Sequence, residues 1–538
     1  MKILLKNGKI YDGTGNKPYI GSVLIEDEKI IKVAKDILED VDKTYDLEGL
    51  SLSSGFIDAH SHNDWYAIKK EPLPYFKPFI NQGITTFVTG NCGLSQAGFE
   101  KNSPYIKNIG GGLFSHKDTI KEYGDMGEFF EAIHKNNPCN IAALIGHCSV
   151  RAGLIGLENK PLTQEEEEKM LNILEKALED GACGISLGLM YEPGLYADTK
   201  ELKKVSELCI KYDKPLTIHP RANSAVSMAY PELFGRSHLL RAVDELVEIS
   251  KGTNLKLQYS HAIFVGRRSF KDKDEFLSII HKLGEEGVDV GFDIYHELMG
   301  VSVITVILPT WYQAMDLKER EKPINKLKLW ILCKASSKLL GFGFNDIEIA
   351  YIGEGFEEFE GKTVHEIGKE LNKSDLETYL YLCEKSDFKG RVNMKPYSTE
   401  EIISELSKED SCIYMTDAWV EDKGVQNPAI YDCFPKFLRA SLLGAGDTME
   451  KTIRKMTGQT SDRFSLKDRG YIKEGYFGDI TIFNEEKLKN TLPDQKKAFG
   501  IEKVFINGKL VLENGLLDEE ALKTSGHAVK SISERRIK

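Results

Sequence analysis

The middle of the chain alternates short apolar runs with longer segments whose apolar residues recur at helical spacing. The helical pattern is clear over residues 163–180, where Thr163 and Glu166 form the sequence signature of a capping box. Because parallel strands are usually connected by helices, about eight such units predict an α/β fold of the (β/α)8 TIM barrel type. Seven apolar runs fit its strands: GITTFVTG, NIAALIGH, GACGISLG, KPLTIHP, LKLQYSH, GVDVGFDIY and SCIYMTD.

The two ends of the chain have a different pattern, with short alternating segments separated by Gly and Asp-Gly turns. We expect residues 1–52 and 466–515 to form one small β-sandwich domain beside a barrel over 53–465. Residues 318–400 interrupt the barrel pattern and predict an insertion beyond one strand, placed as a lid. Residues 516–538 form a polar tail that we expect to pack weakly.

Charge and cysteine usage restrict the class of partner and the compartment. The net charge is −12 and no basic stripe stands out, which predicts neither a nucleic-acid nor a membrane partner. The nine cysteines are scattered without a CxxC pair, as expected for reduced thiols in a cytoplasmic protein. We find no membrane-spanning apolar stretch and no signal-peptide pattern at the start. The sequence leaves a homo-oligomer open.

A His-x-His pair follows the apolar run that ends at Asp58. Residues i and i+2 of a strand point to the same side, so His60 and His62 would present two imidazoles to one point. Converging neutral imidazoles suit a zinc-type ion, although such pairs also occur by chance on surface strands. The next apolar run ends close to Cys92, which is either a thiolate ligand or an inert buried thiol.

Further candidates stand at the ends of later strands. His219 and His261 each end an apolar run, and the carboxyl ends of barrel strands gather at the face that carries active sites. Asp417 ends a late run, where it is either a helix N-cap or a general base beside activated water. His147, with Arg151 one turn further on, fits a structural or substrate-edge residue better than a ligand.

These motifs together resemble the amidohydrolase superfamily, and within it the D-aminoacylase (N-acyl-D-amino-acid deacylase) group. The resemblance extends from residue 2 to about residue 515. Its specific feature is a cysteine in a GNCG context, at a point where much of the superfamily has a carboxylated lysine. The motifs that carry it are GFIDAHSHND, TTFVTGNCGLS, NIAALIGHCSVR, GISLGLMYEPGLYADTKEL, QYSHAIFVG and TIRKMTGQTSDRFSLKDRGYIKEGYFGDITIFN.

The resemblance implies a zinc-dependent hydrolase of C–N bonds that acts on a small-molecule amide. It assigns a tightly held zinc ion to Cys92, His219 and His261, and a second, weaker position to His60 and His62. Asp417 would contact the metal, take a proton from water and pass it to the leaving nitrogen.

The resemblance also assigns residues to the substrate side of the site. Tyr191 would lie at the substrate edge, and Tyr295 would polarise the scissile carbonyl or bind substrate.

Two departures from the group put the substrate in doubt. Its members typically hold the substrate carboxylate with a lysine and an arginine at the positions of Ile263 and Ala429. Arg221, or Arg267 with Arg268, could replace them. The leading substrate is an N-acyl-D-amino acid or close relative. A cyclic amide such as a hydantoin, dihydropyrimidine or lactam is the alternative, and a non-catalytic scaffold is the alternative of another class.

Overall fold

Eight parallel strands form a barrel at the centre of the molecule. The computed structural model describes residues 1–99, 102–105, 124–227, 229–230, 235–313, 315, 317–493 and 496–532. The strands are, in chain order, Phe56–Asp58, Ile84–Thr89, Asn140–Ala143 continued by Ile145–Gly146, Ile185–Gly188, Pro215–His219, Lys256–Tyr259, Asp289–Ile294 and Cys412–Tyr414. All seven runs predicted from apolar patterning are confirmed as strands.

The strands pair in chain order around the barrel. One sheet contains the first three strands, and the other runs from the end of the third strand to the eighth. The eighth strand meets the first through backbone hydrogen bonds, from the Ala59 N–H to the Tyr414 carbonyl at 3.2 Å and from the Asp417 N–H to the His60 carbonyl at 3.0 Å. The predicted α/β barrel class is thereby confirmed.

Amphipathic helices cover the barrel and pack their apolar faces on the strands. The capping box predicted at Thr163 is present at the start of its helix. In the described part of the chain, no helix combines the length and apolar character needed to cross a membrane. The helices of this layer are Asp64–Ala67, Leu73–Asn81, Met126–Ile133, His147–Ile155, Gln164–Asp180, Thr199–Tyr212, His238–Ser250, Lys273–Glu285, Glu400–Ser407, Ala429–Leu442, Met449–Met456 and Gly458–Phe464.

Both chain ends contribute to one nine-stranded sheet beside the barrel. Ile480–Phe483 pairs antiparallel with Ser51–Ser54 and joins the two halves. Apolar residues from both ends fill one core, as the alternating pattern predicts. The other strands are Lys2–Tyr11, Tyr19–Glu26, Lys29–Ala34, Lys43–Asp46, Ile501–Ile506, Lys509–Glu513 and Leu516–Leu517, and the short helices here are Glu485–Asn490 and Glu519–Leu522.

The tail is packed more tightly than its polar sequence predicts. Ser525, His527 and Ser531 are buried. The Ile141 N–H donates to the His527 carbonyl at 2.9 Å, so the tail runs beside the third barrel strand. The expectation of weak packing over 516–538 is therefore wrong for residues 525–531, because backbone pairing does not require apolar side chains. Residues 533–538 lie outside the described part of the chain.

The insertion begins earlier than residue 318. Gly300–Val303 already belongs to it, because this strand pairs antiparallel with Arg391–Met394, which in turn pairs with Ile347–Tyr351. The insertion has a hydrophobic core of its own. It follows the seventh barrel strand and therefore rises from the carboxyl face. Its helices are Thr310–Gln313, Leu317–Glu321, Pro323–Leu340, Val364–Leu371 and Asp375–Lys385.

Candidate metal centre

All six predicted ligands arrive at the carboxyl ends of barrel strands. The histidines and the cysteine are almost completely buried, whereas the Asp417 side chain remains 21% exposed. Six polar side chains here can converge only because the barrel topology brings the strand ends together. The ligands are His60 and His62 after the first strand, Cys92 after the second, His219 at the end of the fifth, His261 after the sixth and Asp417 after the eighth.

Cys92 stands at the centre of three imidazoles. Its Sγ lies 3.3 Å from His60 Nε2, 3.4 Å from His219 Nδ1 and 3.9 Å from His261 Nε2. The predicted partners His219 and His261 are thus both beside the thiol. His60, which the resemblance assigns to a second position, is equally close.

Asp417 forms a second group with the same histidines. Its Oδ1 lies 3.4 Å from His60 Nε2 and 3.5 Å from His62 Nε2. Its Oδ2 lies 3.9 Å from His261 Nε2. Two triads can each surround one ion, namely His60 with Cys92 and His261, and His60 with His62 and Asp417. Because His60 belongs to both, the two positions are adjacent.

The spacing of these atoms fits a tetrahedral ion. Ligand atoms bound at about 2.0–2.3 Å to a tetrahedral zinc ion lie roughly 3.3–3.8 Å from one another. The separations around Cys92 agree with this range to within about 0.1 Å. Thiolate and imidazole are also ligands that zinc prefers. The residues present therefore fit a zinc-type ion.

The backbone is held in an unusual conformation at three of the ligands. Cys92, His261 and Asp417 have φ values of 54°, 40° and 47°. This left-handed region is uncommon for residues other than glycine and concentrates at functional sites. Gly93 also has positive φ, and a Cβ there would lie 2.6 Å from the Gly188 N atom. The turn that presents Cys92 therefore requires a glycine after it.

Burial and neighbouring charge give the ligands different protonation tendencies. Burial lowers the pKa of both His219 and His261, which keeps these imidazoles neutral and able to donate a lone pair. Burial would likewise lower the pKa of His60, yet Cys92 and Asp417 hold it well above its usual value. Burial would raise the pKa of Asp417, but the imidazoles of His60, His261 and His62 hold it well below its usual range. Asp417 is therefore a carboxylate at neutral pH.

Several known proteins are similar to this chain. A model of the amidohydrolase family matches residues 43–214. The chain is 24% identical to a D-aminoacylase of Alcaligenes xylosoxydans xylosoxydans, over 94% of this chain and 93% of that one. It is 26% identical, with the same coverage, to an N-acyl-D-glutamate deacylase of that organism.

The chain therefore resembles deacylases of the amidohydrolase type along nearly its whole length. A crystal structure of D-aminoacylase superposes on it with a TM-score of 0.77 at 23% identity, covering 98% of this chain and 99% of that one. The N-acyl-D-glutamate deacylase of Bordetella bronchiseptica, complexed with zinc and a phosphonate inhibitor, gives a TM-score of 0.78 at 21% identity with the same coverage. The predicted family resemblance and the barrel with its β domain are confirmed.

Asp293 contacts two of the predicted ligands and was missed from the sequence. Its Oδ1 accepts from the His261 N–H at 2.7 Å and lies 3.6 Å from His60 Nδ1. Its Oδ2 accepts from the Gln258 amide at 3.0 Å. At 3.6 Å the contact with His60 Nδ1 is longer than a hydrogen bond, so Asp293 acts on His60 through its charge and on His261 through the backbone. The available signal was an aspartate between Phe292 and Ile294, in the interior of the strand Asp289–Ile294.

Asp58, which the sequence places on the same face as His60, takes a supporting position. It accepts hydrogen bonds from the Thr416 hydroxyl and N–H, at 2.5 and 2.9 Å. It also accepts one from the His60 N–H at 3.2 Å. These bonds fix the first barrel strand against the segment that carries Asp417.

Both predicted tyrosines lie near the metal ligands. The Tyr191 ring is 4.7 Å from the His219 ring, measured between centroids. Tyr295 is buried, and burial together with the charge of Asp417 raises its pKa well above the usual value. Both phenols therefore stay protonated and able to donate a hydrogen bond.

Arg221 is not available as a carboxylate clamp. It donates to Glu245 at 2.7 and 3.1 Å, and to the carbonyls of Leu195 and Ala197 at 2.8 and 2.5 Å. These bonds hold it in a separate 330 Å³ cavity, which is also lined by Tyr230. Because its charge is already paired with Glu245, this conformation does not favour Arg221 as the substrate clamp, and that role stays a prediction.

Arg267 and Arg268 are the other two candidate cations for a substrate carboxylate. Arg267 pairs with Asp346 of the insertion at 2.8 Å, and Arg268 is exposed at the surface.

His147 is bonded to Glu201 at 2.7 Å, which agrees with its structural interpretation. Ile263 is 7% exposed and Ala429 is fully buried at the start of its helix. Neither position offers a cation to the site.

Proposed function

We propose that this amidohydrolase holds a zinc-type ion and hydrolyses the amide bond of an N-acyl amino acid or a close neutral relative. The observation that carries the proposal is the convergence of Cys92, buried imidazoles and Asp417 at the mouth of the barrel. The D-aminoacylase and the N-acyl-D-glutamate deacylase that match most of the chain support a linear N-acyl substrate.

The cysteine and the histidines would hold the ion, and Asp417 would move protons. As the resemblance implies, Cys92, His219 and His261 would hold the tight ion, and His60 adjoins them because it forms a triad with Cys92 and His261. His60 and His62 would complete a second, weaker position beside Asp417. When bound, such an ion supplies a Lewis acid that polarises an amide carbonyl and makes water nucleophilic near neutral pH.

Asp417 has the properties of the proton carrier. It is ionised, it is the most exposed of the six ligands, and its two oxygens face different histidines. It can accept a proton at one oxygen and deliver it to the leaving nitrogen. The protonated Tyr295 phenol would donate a hydrogen bond to the carbonyl oxygen as negative charge develops there.

The substrate end of the site favours a neutral group. Ile263 lies between Ala262 and Phe264, both buried, where a lysine is expected in the group. Ala429 replaces the expected arginine, and Arg221 is occupied by Glu245. We therefore infer that a free α-carboxylate is bound poorly and that the substrate places an apolar or neutral group near Ile263.

The experiment is a substrate screen on zinc-loaded and zinc-depleted protein. Linear N-acyl amino acids of both hands, their neutral amides and cyclic amides are compared by kcat/KM. We expect the preference for the free acid over its neutral amide to be weaker by roughly 100-fold than a site with both cations would give, since each charge-assisted hydrogen bond contributes about 1.5–3 kcal/mol. A strong preference for the free acid would contradict the substrate inference. Ring opening alone would favour the cyclic class, and inactivity of the zinc-loaded protein on every substrate would favour a scaffold.

A further inference from the structure

The insertion helix Pro323–Leu340 has apolar residues on two opposite faces. One face carries Leu329, which is fully buried in the core of the insertion. The opposite face is exposed to solvent and carries Ile324, Leu327 and Ile331, whose surfaces are 66%, 53% and 54% exposed. A helix that only covered a core would have polar residues on this outer face.

The three exposed residues form one continuous stripe. At 100° per residue, Ile324, Leu327 and Ile331 fall within about 60° of one another, roughly opposite Leu329. Trp330 lies at the edge of this stripe and is 48% exposed. Scattered single apolar residues are ordinary on a surface, but an ordered stripe with a tryptophan at its edge indicates an interaction site.

The charge of the helix is opposite to that of the whole chain. It contains four lysines and no acidic residue, whereas the chain has a net charge of −12. Lys328 lies on one side of the stripe and Lys334 on the other. Lys338 lies beyond the stripe, towards the carboxyl end of the helix. Within the described residues, none of these three pairs with a carboxylate, although Lys328 lies over Trp311 and Lys334 over Trp330. The negative net charge therefore hides a local basic strip.

We propose that this helix docks the protein on an anionic lipid surface, with the Ile324–Leu327–Ile331 stripe among the acyl chains and the lysines at the phosphates. A basic helix with an apolar face and a tryptophan at the boundary is suited to lie in the plane of a membrane interface. A second copy of this chain is a poorer occupant, because a symmetric contact would place the lysines of both copies together. The insertion follows the seventh strand, so docking would bring the mouth side of the barrel towards the lipid.

This proposal changes the expectation drawn from net charge, which predicted no membrane partner. It does not depend on the chemistry of the metal centre. The stripe is far from the ligands along the chain and contributes no side chain to them, so binding and hydrolysis can be measured separately.

The test is flotation of the full-length protein with vesicles. We expect binding to phosphatidylcholine vesicles that contain phosphatidylglycerol, weak binding to phosphatidylcholine alone, and loss of binding as ionic strength rises. The spectrum of Trp330, identified by difference from Trp330→Phe, should shift to the blue on binding. Replacing Ile324, Leu327 and Ile331 together by Ser should abolish flotation, and Lys334→Glu should reduce the partition coefficient by at least about fivefold.

Matched controls use exposed residues of the β domain. Leu38→Ser, at a side chain that is 98% exposed, and Lys17→Glu should leave flotation unchanged. Because all the altered residues are exposed, retained melting temperature and amide hydrolysis will show that the variants fold. Wild-type protein that does not float with anionic vesicles would overturn the proposal, as would a triple Ser variant that still floats. Self-association lost in that variant would assign the stripe to a second copy and overturn it as well.

Discussion

Folded proteins usually bury apolar side chains and expose polar ones. The mouth of the barrel and the insertion break this rule in opposite ways. The barrel buries four histidines, a cysteine and several carboxylates where apolar side chains would pack more easily. The insertion exposes a stripe of large apolar residues on Pro323–Leu340 where polar residues would be expected. Each departure costs stability unless something compensates it, and we propose an ion for the mouth and a lipid surface for the helix.

The two regions also differ in the hydrogen bonds that hold their side chains in place. The buried candidate ligands are supported by further hydrogen bonds, since Asp293 accepts from the His261 N–H and Asp58 accepts from the Thr416 N–H. The exposed stripe has no comparable framework beyond its helix. A metal site demands positions accurate to fractions of an ångström, whereas a lipid surface adapts to the side chains that enter it.

The largest expected effect comes from removing the thiol at the centre of the barrel mouth. Cys92→Ala should lose bound metal and activity together, because the three imidazoles around Sγ would lose their shared partner. Metal content and turnover are measured on the same preparation. The matched control is Cys183→Ala, another buried cysteine, located before the fourth strand, which should keep its metal. Full metal occupancy in Cys92→Ala would contradict the ligand assignment.

Asp417→Asn should separate proton transfer from metal binding. We expect turnover to fall by roughly 10²–10⁴-fold, because an amide cannot accept the proton. The tight ion should remain, since Cys92, His219 and His261 are unchanged. Near-normal turnover would show that Asp417 only caps the backbone at the end of the eighth strand.

Asp293→Asn should weaken metal binding although every candidate ligand remains in place. Loss of a carboxylate partner behind a metal-binding imidazole typically reduces metal affinity or activity by about 10–100-fold. Zinc affinity measured by competition with a chelator gives the effect directly. Asp289→Asn is the control, because Asp289 begins the same strand, is exposed and pairs with Arg463. Equal zinc affinities in the two variants would remove Asp293 from the site.

Ile263→Lys tests the boundary between the barrel mouth and the insertion, where the Phe264 N–H donates to the Tyr397 carbonyl. A new ammonium group should improve kcat/KM for free acids over neutral amides by about tenfold, equivalent to about 1.4 kcal/mol. Ile263→Leu should leave that ratio unchanged. An unchanged ratio in a folded Ile263→Lys variant would place the substrate carboxylate elsewhere.

The smallest effect on activity is expected from damage to the insertion core. Leu382→Ala and Leu216→Ala each remove a fully buried side chain, one from the insertion and one from the fifth barrel strand. Each should destabilise the protein by about 2–5 kcal/mol. Only Leu216→Ala should also reduce zinc affinity, because its strand carries His219. Equal losses of zinc affinity would show that the two regions are not independent.

Apolar patterning along the chain was enough to predict the barrel and the positions of its candidate ligands. Apolar runs such as Ile84–Thr89 are local signals, and strand–helix alternation leaves few other topologies. Once the barrel is inferred, residues at the strand ends must meet at one face, so the convergence of Cys92, His219 and His261 could be predicted without coordinates. The paired hairpin patterns of the two chain ends likewise predicted the β domain.

The assembled fold was needed to show which side chains already have partners and which helix faces remain exposed. Arg221 looked available until Glu245, from a different helix, was seen beside it. The tail packs beside the third strand, and the outer face of Pro323–Leu340 meets no other part of the described chain strongly enough to be buried. Partners distant in sequence decide each of these cases, and local periodicity carries no information about them because burial is a property of the assembled fold.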